Sequence, residues 1–399
     1  MKLLSRRSFI AQNMALAGTA LAGSAFTIAD HTSKKIRIGI VGGRFGSTFQ
    51  WHEHPDCIVE AVSDLRSDRR EHLMNIYKCN KSYPSLEEMV KDKNIDAIAV
   101  FTGAPDHVRH TIECMKHGKH VISAVPACLT LEEAGQLLEA VKKYGLTYMM
   151  AETGYYQQHT ISARKMYRNG DFGDLYYVES EYQHDGLNNL YHENGQRTWR
   201  YGMAPMLYPT HSTSLLTGVT GERLTEVVCQ GWGDDDQILK DNIYNNPFWN
   251  ECAFFKTGRG TSFRVNIWWK GAHLGGERAN WIGTKMSFYA DNGRSGPALV
   301  KKSDLLGTDD AGFVQSVPKL ENYEQPQWWN TEMLPGPLRH NSGHQGSHTF
   351  LTHEFIDALI NERRPTVDIY EALAYTVPGI VAHESALKGG VLLKIPQFT

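Results

Sequence analysis

The chain has 399 residues, of which 41% are hydrophobic and 21% are charged, and its formal net charge is −3. This composition is typical of a soluble globular protein, and the length exceeds one ordinary hydrophobic core, so we expect two domains. The small negative charge gives no reason to expect nucleic acid or an anionic membrane as a partner.

The amino-terminal stretch has the pattern of an export signal. Arg6 and Arg7 precede Phe9 and Ile10, and a weakly apolar stretch rich in Ala and Gly follows to about residue 25. The pattern predicts a twin-arginine signal over residues 1–30 and export to the periplasm or cell envelope. Because the stretch is short and contains glycine, we expect no stable membrane insertion.

A glycine-rich turn follows the first predicted strand. Residues 36–41 form a short β-type run, Gly42, Gly43 and Gly46 come next, and we expect a helix after them. In that context, glycines let backbone N–H groups approach a dinucleotide pyrophosphate. The usual G-x-G-x-x-G pattern lacks its first glycine, because that position falls on Val41. The loop alone therefore fits either a dinucleotide site or an ordinary strand–helix turn.

The first predicted domain, residues 34–151, alternates strands with helices. The predicted strands span 57–64, 96–101, 120–122 and 146–151, and the predicted helices span 66–77, 107–117 and 130–144. This alternation predicts a parallel sheet covered on both faces.

The second predicted strand ends in a carboxylate. Asp64 lies about twenty residues after the glycines, where such a residue binds the adenosine ribose hydroxyls. This favours NAD over NADP, whereas the nearby Arg66 and Arg69 oppose that preference. The alternative is that Asp64 simply caps the next helix.

The second predicted domain, residues 152–399, has another pattern. A helix over 157–168 precedes long alternating strands over 175–183, 224–232, 251–256, 261–269 and 285–290. No helices of crossover length separate these strands, so we expect a large open mixed or antiparallel sheet in an α+β domain. Residues 291–340 lack periodicity and predict surface loops, and helices follow over 349–361 and 370–388.

With these elements in place, the chain resembles the Gfo/Idh/MocA family. The residues that carry the resemblance are 38–46, Asp64, 96–102, Pro105, His107, 118–121, Pro126, 364–365, Asp368 and 384–390. The resemblance implies a Rossmann NAD(P)-binding domain and an open-sheet domain, with a sugar or cyclitol held at their junction. Open sheets of this kind often pair, so a homo-oligomer is also expected.

The glycine loop and the resemblance together predict the cofactor site. We expect NAD, with NADP less favoured, and we expect it to be held tightly. The predicted cofactor-binding residues are Gly42, Gly43, Arg44, Phe45, Gly46, Asp64, Thr102, His107 and Pro126.

The chain departs from the dehydrogenases of that family at two positions. They carry Glu-Lys-Pro where this chain has Ala124, Val125 and Pro126. They also place an Asp four residues before a catalytic His, whereas here Leu207 precedes His211 at that offset. Two groups of the usual proton relay are therefore missing from the sequence.

The NAD-dependent glycosidases of glycoside hydrolase family 109 resemble the chain more closely in local motifs. The shared features are Glu152 after an apolar strand, Tyr182-Gln-His-Asp185, Trp199-Arg200 and Tyr208-Pro-Thr-His211. The resemblance implies that the catalytic residues are Glu152, Tyr182, Tyr208 and His211. It also implies a further aromatic residue before Gly283, for which the sequence offers no clear counterpart.

These resemblances lead to competing functional hypotheses. The first is glycoside cleavage by transient oxidation of the sugar C3 hydroxyl, elimination and re-reduction with one retained NAD. The others are an ordinary NAD(P)-dependent sugar or cyclitol dehydrogenase and a non-catalytic protein that binds NAD or sugar. Structural roles compete for each residue: capping and packing for Tyr208 and His211, core packing for Tyr182, and a structural ion pair for Glu152.

Histidine clusters give a weak metal signal. His52 and His54 are close together at a predicted exposed helix end, and His340, His344 and His348 are spaced by four residues. Glycines interrupt the helix that the second spacing requires, so we expect no metal and interpret residues 343–347 as a loop lining the site.

Overall fold

The computed structural model describes residues 35–184, 190–293 and 295–399. The predicted signal over 1–30 and Asp185 lie outside the described residues. In the described ranges, no helix is long and apolar enough to cross a membrane. All six cysteines are free thiols, and five of them are buried.

The first sheet is parallel and has the strand order β3-β2-β1-β4-β5-β6. Its strands are β1 (Ile36–Val41), β2 (Cys57–Ser63), β3 (Ser82–Tyr83), β4 (Ala97–Val100), β5 (His120–Ser123) and β6 (Tyr148–Met150). The connecting helices are α1 (Ser67–Tyr77), α2 (Leu86–Met89), α3 (His107–Lys116) and α4 (Leu131–Tyr144). This order confirms the predicted doubly wound sheet. It also makes the gap between the carboxyl ends of β1 and β4 the switch point where dinucleotides bind.

The segment after the glycines differs from the prediction. In place of an α-helix, two short 3-10 turns follow β1, at Phe45–Thr48 and Trp51–Glu53. The expectation of a helix directly after the glycines was therefore wrong. Phe49 and Trp51 are buried, and their rings stack on each other. This packing stabilises the irregular segment that replaces the expected helix.

The second sheet is mixed and lies in the carboxy-terminal part of the chain, which confirms the predicted class. Its order is β18-β15-β14-β13-β7-β12-β11-β10-β19, and all pairs are antiparallel except β7 with β12. The strands are β7 (Leu175–Gln183), β10 (Leu224–Trp232), β11 (Asn250–Thr257), β12 (Ser262–Trp268), β13 (Gly276–Gly283), β14 (Met286–Tyr289), β15 (Ala298–Lys301), β18 (Lys319–Asn322) and β19 (Leu393–Lys394). Two small hairpins stand apart, β8 (His192–Glu193) with β9 (Gln196–Arg197) and β16 (Leu306–Thr308) with β17 (Val314–Ser316).

Two sequence predictions for this part were wrong. Strand β13 was not predicted, and residues 291–340, expected to be loops, contain β15 to β18. These strands show little alternation between buried and exposed side chains, and few of their side chains are buried. Hydrogen bonds to neighbouring strands therefore form them, rather than a hydrophobic pattern that sequence analysis can detect.

Two helices pack on the second sheet, α6 (Thr210–Thr220) against β7, β12 and β13 and α9 (Ile369–Leu387) against β10 and β11. Helix α5 (Gln158–Asn169) packs on α6, α8 (Gly343–Ile360) contacts α5 and β1, and a short α7 (Gln237–Lys240) lies in a connection. Trp281 donates from Nε1 to the carbonyl of Leu215, and Ser180 donates to the carbonyl of Ser212. These bonds fix α6 against β7 and β13, and its first turn carries His211.

Candidate active site

The loop after β1 has the shape of a phosphate cradle. Gly42 has φ +103°, and a Cβ there would lie 2.2 Å from the carbonyl oxygen of Phe101. Gly46 donates its N–H to the carbonyl of Gly42 at 3.1 Å and closes the loop. Within the described residues, the N–H groups of Arg44 and Phe45 have no hydrogen-bond acceptor. The loop therefore fits a dinucleotide, and these two donors would hold its pyrophosphate.

Asp64 lies beside this loop, as predicted for a residue that binds ribose. Its Oδ2 accepts the N–H of Gly43 at 2.7 Å, and its Oδ1 accepts the N–H of Arg66 at 2.9 Å. The two bonds orient the carboxylate, and each oxygen keeps a lone pair for a ribose hydroxyl.

Thr102, His107 and Pro126 lie near the carboxyl ends of β4 and β5. The buried His107 ring contacts two carbonyl oxygens, that of Pro126 from Nδ1 at 2.7 Å and that of Thr102 from Nε2 at 3.1 Å. Burial lowers the pKa of His107, so the neutral ring donates to only one of them at a time. The structure places His107 as the link between the two strand ends, and its contact with the cofactor stays a prediction.

Glu152 and His211 meet where the two sheets approach each other. Glu152 follows β6 and is fully buried, and its Oε1 accepts the N–H of Gly154 at 2.6 Å. The same oxygen lies 2.8 Å from Nδ1 of His211, whose side chain is almost fully buried. The other carboxylate oxygen, Oε2, is buried without a partner among the described residues. The pair is thus a carboxylate that orients a histidine ring.

Glu277 is a site residue that sequence analysis missed. Strand β13 pairs with β7 so that Glu277 lies opposite Tyr182, and its Oε2 is 3.9 Å from Nδ1 of His211. The amide of Gln157 donates to the same oxygen. Glu277 precedes Gly283 in the strand where the resemblance implied an aromatic residue. The sequence signal was only a Glu-Arg pair, Glu277 and Arg278, in that segment. The pairing of β13 with β7 that places Glu277 beside Tyr182 is not local in sequence.

The two carboxylates determine the charge of His211. Burial alone would lower its pKa, but Glu152 and Glu277 outweigh burial and raise the pKa to about 9. At neutral pH the ring is therefore an imidazolium. Burial and the charge of Glu152 raise the pKa of Glu277. The cluster holds one cation between two carboxylates in a site largely closed to water.

Two tyrosines complete the surroundings of His211. The ring of Tyr182 lies 4.8 Å from that of His211, and the ring of Tyr208 lies 5.4 Å from it, measured between centroids. Burial raises the pKa of both phenols, so both hydroxyls are donors at neutral pH. The two tyrosine rings also stack on each other, with 6.1 Å between their centroids. The structure brings all four predicted catalytic residues into one cluster.

Other residues partly replace the lysine and the aspartate of the dehydrogenase proton relay, which are missing at positions 125 and 207. Val125 and Leu207 are buried apolar residues. Glu152, distant in sequence, gives His211 the carboxylate that position 207 does not supply. The guanidinium of Arg200 lies 5.5 Å from the ring centre of Tyr208 and provides a cation near the cluster.

A pair of neutral histidines connects this cluster to the glycine loop. The ring of His344 stacks on His211 at 6.5 Å, and its Nδ1 lies 2.8 Å from Nε2 of His348. His348 contacts the carbonyl of Thr48 at 3.0 Å. Burial lowers the pKa of His344 to about 3 and that of His348 to about 4, so both rings are uncharged. Residues 343–347 form the start of α8, but His344, Gln345 and Gly346 have left-handed φ values of 48°, 57° and 87°, so this segment is irregular and not a regular helix.

The histidine clusters do not assemble a metal site in the part of the chain that the structure describes, where no group of three ligands is suitably placed. His54 was expected at an exposed helix end, but it is buried, and its Nε2 contacts Nδ1 of His353 at 3.1 Å. That expectation was wrong because the turn at Trp51–Glu53 folds this segment against α8.

Comparison with known proteins agrees with this geometry. Residues 36–152 match the model of the oxidoreductase family with an NAD-binding Rossmann fold, and residues 309–399 match the glycosyl hydrolase 109 C-terminal domain. A glycosyl hydrolase family 109 protein of Solibacter usitatus is 25% identical over 91% of this chain and 88% of its own length. An alpha-N-acetylgalactosaminidase of Tannerella forsythia is 23% identical over 91% and 86%.

A solved structure shows the same fold. Levoglucosan dehydrogenase in complex with NADH superposes with a TM-score of 0.71 at 16% identity, over 91% of this chain and all of that one. The chain is therefore similar to the oxidoreductase family with an NAD-binding Rossmann fold over residues 36–152 and to glycosyl hydrolase family 109 proteins over most of its length, and this similarity supports an enzyme.

Proposed function

We propose that this chain is an exported enzyme that cleaves a glycoside through transient oxidation of the sugar, with one tightly held NAD. The observation that carries the proposal is His211, which is held as an imidazolium between two buried carboxylates and flanked by the rings of Tyr182 and Tyr208. This cluster of proton donors differs from the lysine-based relay that the resemblance implies for a dehydrogenase. Relationship to glycosyl hydrolase family 109 proteins supports it.

The cofactor would supply the redox chemistry: when bound, NAD accepts a hydride from the sugar C3 and later returns it. Oxidation at C3 acidifies the C2–H bond, so that loss of the C2 proton expels the aglycone from C1. Water then adds at C1, a proton returns to C2, and reduction at C3 restores the hydroxyl. The proton lost from C2 balances the one that the aglycone oxygen takes up, and water supplies the OH at C1 and the proton at C2. The C3 hydroxyl proton and the hydride both return to the sugar, so no outside oxidant is consumed.

The residues of this chain have distinct tasks in that cycle. Glu152 binds Nδ1 of His211 and thereby aims Nε2 away from the carboxylate. His211 starts as an acid and would protonate the departing oxygen, and Tyr208 would exchange the proton of the sugar hydroxyl. Tyr182 would donate a hydrogen bond to a neighbouring hydroxyl. Because Glu152 has no access to the solvent, we assign it to orienting His211 rather than to binding sugar.

The decisive experiment is hydrolysis of 4-nitrophenyl glycosides in D2O without added NAD. The panel begins with the α-N-acetylgalactosaminide, because one relative carries the name of that activity. Release of nitrophenol with deuterium at C2 of the sugar is expected. Release without deuterium would exclude elimination as the mechanism. Replacement of His211 by Ala should abolish release while the protein stays folded, and surviving activity would refute the assigned role.

An ordinary sugar dehydrogenase is the second candidate, since the fold is shared with levoglucosan dehydrogenase. Free sugar plus excess NAD+ distinguishes the two. Accumulation of NADH in proportion to sugar, with no aglycone released from any glycoside, would favour the dehydrogenase. The absence of the lysine at Val125 argues against this outcome.

Export and cofactor retention support each other in this proposal. A hydride that is borrowed and returned needs one retained NAD, which suits a compartment where no supply of NAD is expected. Replacement of Arg6 and Arg7 by Lys should leave the protein in the cytoplasm, as measured by cell fractionation. Purified protein should contain close to one NAD per chain, and a cofactor that leaves faster than turnover would contradict retention.

A further inference from the structure

The hairpin β8–β9 brings a distant carboxylate to the end of β2. Oε1 of Glu193 accepts a hydrogen bond from Nη1 of Arg66 at 3.0 Å and a second one from Nη2 of Arg69. Glu193 is separated from these arginines by more than 120 residues of sequence. The bond to Arg69 lowers the pKa of Glu193, so the carboxylate is ionised at neutral pH.

These arginines border the adenosine end of the dinucleotide site. Asp64 binds the N–H of Gly43, and a Cβ on Gly43 would lie 2.6 Å from Cβ of Arg69 and 3.2 Å from Oδ2 of Asp64. The glycine loop, the ribose carboxylate and Arg69 are therefore in direct contact. Glu193 contacts this group of residues through its bonds to Arg66 and Arg69.

The arginines create a conflict that sequence alone left open. An arginine beside the ribose-binding position accommodates the 2′-phosphate of NADP, whereas a carboxylate there binds the ribose hydroxyls of NAD. This chain carries both, with Asp64 next to Arg66 and Arg69. Discrimination between the cofactors then depends on whether the guanidinium groups are available.

In the structure the guanidinium groups already have carboxylate or carbonyl acceptors. Arg66 pairs with Asp68 through two bonds, of 3.0 and 2.6 Å, in addition to its bond with Glu193. Arg70 donates to the backbone carbonyl of Asp64 at 2.7 Å. An incoming 2′-phosphate would have to displace Glu193 from both arginines and would meet its negative charge.

We propose that Glu193 sets the preference of this protein for NAD over NADP. It neutralises Arg66 and Arg69 and places a second carboxylate beside Asp64, so that the site selects a dinucleotide whose adenosine ribose carries no phosphate. This inference rests on the dinucleotide site of the family and not on the glycoside reaction, because it concerns only the binding of the cofactor.

The expected effect follows from the exposure of the pair. The side chains of Glu193 and Arg66 are 35% and 40% exposed, so solvent screens their interaction. Release of Arg69, and of the one Arg66 bond that Asp68 does not hold, toward a doubly charged phosphate should therefore change the ratio of dissociation constants by about tenfold rather than by many orders of magnitude.

The test is equilibrium binding of NADH and NADPH, followed by nicotinamide fluorescence on full-length protein freed of bound nucleotide. Glu193→Gln should raise the affinity for NADPH about tenfold and leave that for NADH within about twofold, and the gain should shrink at high salt. Glu193→Asp keeps the charge and should retain much of the NAD preference. Asp68→Asn is the matched control, because Asp68 also pairs with Arg66 but lies farther into solvent. It should leave the ratio within about twofold.

Other outcomes overturn the inference. If Glu193→Gln leaves the NADH to NADPH ratio unchanged, the carboxylate does not discriminate between them. If it weakens both nucleotides equally, Glu193 only holds the hairpin in place. Because no sugar is present in the assay, neither result bears on the proposed glycoside cleavage, which the deuterium experiment tests separately.

Discussion

The charge of His211 depends on a carboxylate that is remote in sequence. Glu152 is its nearest partner at 2.8 Å, and Glu277 is farther away at 3.9 Å. We expect Glu152→Gln to lower the pKa of His211 from about 9 toward the ordinary value of about 6.5. Turnover should fall about a hundredfold or more, since an unaligned neutral ring is a poor acid. NMR titration of labelled histidine measures the first effect, and aglycone release measures the second.

Glu277→Gln is the matched comparison for that substitution. Its carboxylate is more distant from Nδ1 of His211, so the pKa should fall less than in Glu152→Gln. The amide still accepts the hydrogen bond from Gln157, and the packing of β13 is retained. Equal pKa values of His211 in the wild type and both variants would show that the carboxylates do not control its charge.

At the level of elements, the glycine loop is a place where backbone geometry constrains function. Gly42→Ala introduces a Cβ 2.2 Å from the carbonyl of Phe101 at a residue with φ +103°. We expect a loss of about 2 kcal/mol or more in the free energy of unfolding and loss of bound nucleotide, because the loop must shift away from its cradle geometry. Urea unfolding and the nucleotide content of purified protein measure the two effects.

Gly118→Ala separates backbone strain from the shape of the cradle. Gly118 also has positive φ, +73°, but a Cβ there meets nothing within 4 Å, and it follows α3 away from the loop. Its substitution should cost about 1 kcal/mol and leave nucleotide content unchanged. If both variants keep their NAD, the close approach at Gly42 is not needed for binding.

The elements that sequence predicted well are those whose signal is local. Strand β7 alternates buried with partly buried residues from Val178 to Tyr182, and the helix over 130–144 begins at a capping threonine and ends at Gly145. Strand β13 lacks such a pattern, because its edges are glycines and polar residues interrupt its apolar ones. The helix expected after Gly46 failed for a related reason: tertiary packing of aromatic rings outweighed the usual strand–turn–helix preference.

The residues of the candidate site were likewise predictable only where their signal is local in sequence. Tyr182, Tyr208, His211 and Glu152 came from motif resemblance, and the structure brings them together. Glu277 and Glu193 pair across distant segments, with His211 in one case and with arginines at the start of α1 in the other. Such contacts depend on register and hairpin placement, which no local pattern in this sequence encodes.

At the level of the whole molecule, the buried cluster should make stability depend on pH. The pKa of His211 is about 9 in the folded protein and about 6.5 in the unfolded chain. Below pH 6.5 both states are protonated and the full stabilisation is present. As pH rises from about 6.5 to 9, the unfolded chain loses its proton first, so the free energy of unfolding falls by about 3 kcal/mol in total.

Urea unfolding at half-unit steps between pH 6 and pH 10 measures this dependence. The comparison is a variant in which His211, Glu152 and Glu277 are all replaced by Gln. Replacement of the histidine alone would leave two facing carboxylates, and their own titration would add a second pH dependence to the free energy of unfolding. The stability of the triple variant should change little over the interval in which the wild type weakens. Parallel curves for the two proteins would mean that His211 is not held as a cation in the folded state, and its proposed role as the initial acid would then fail.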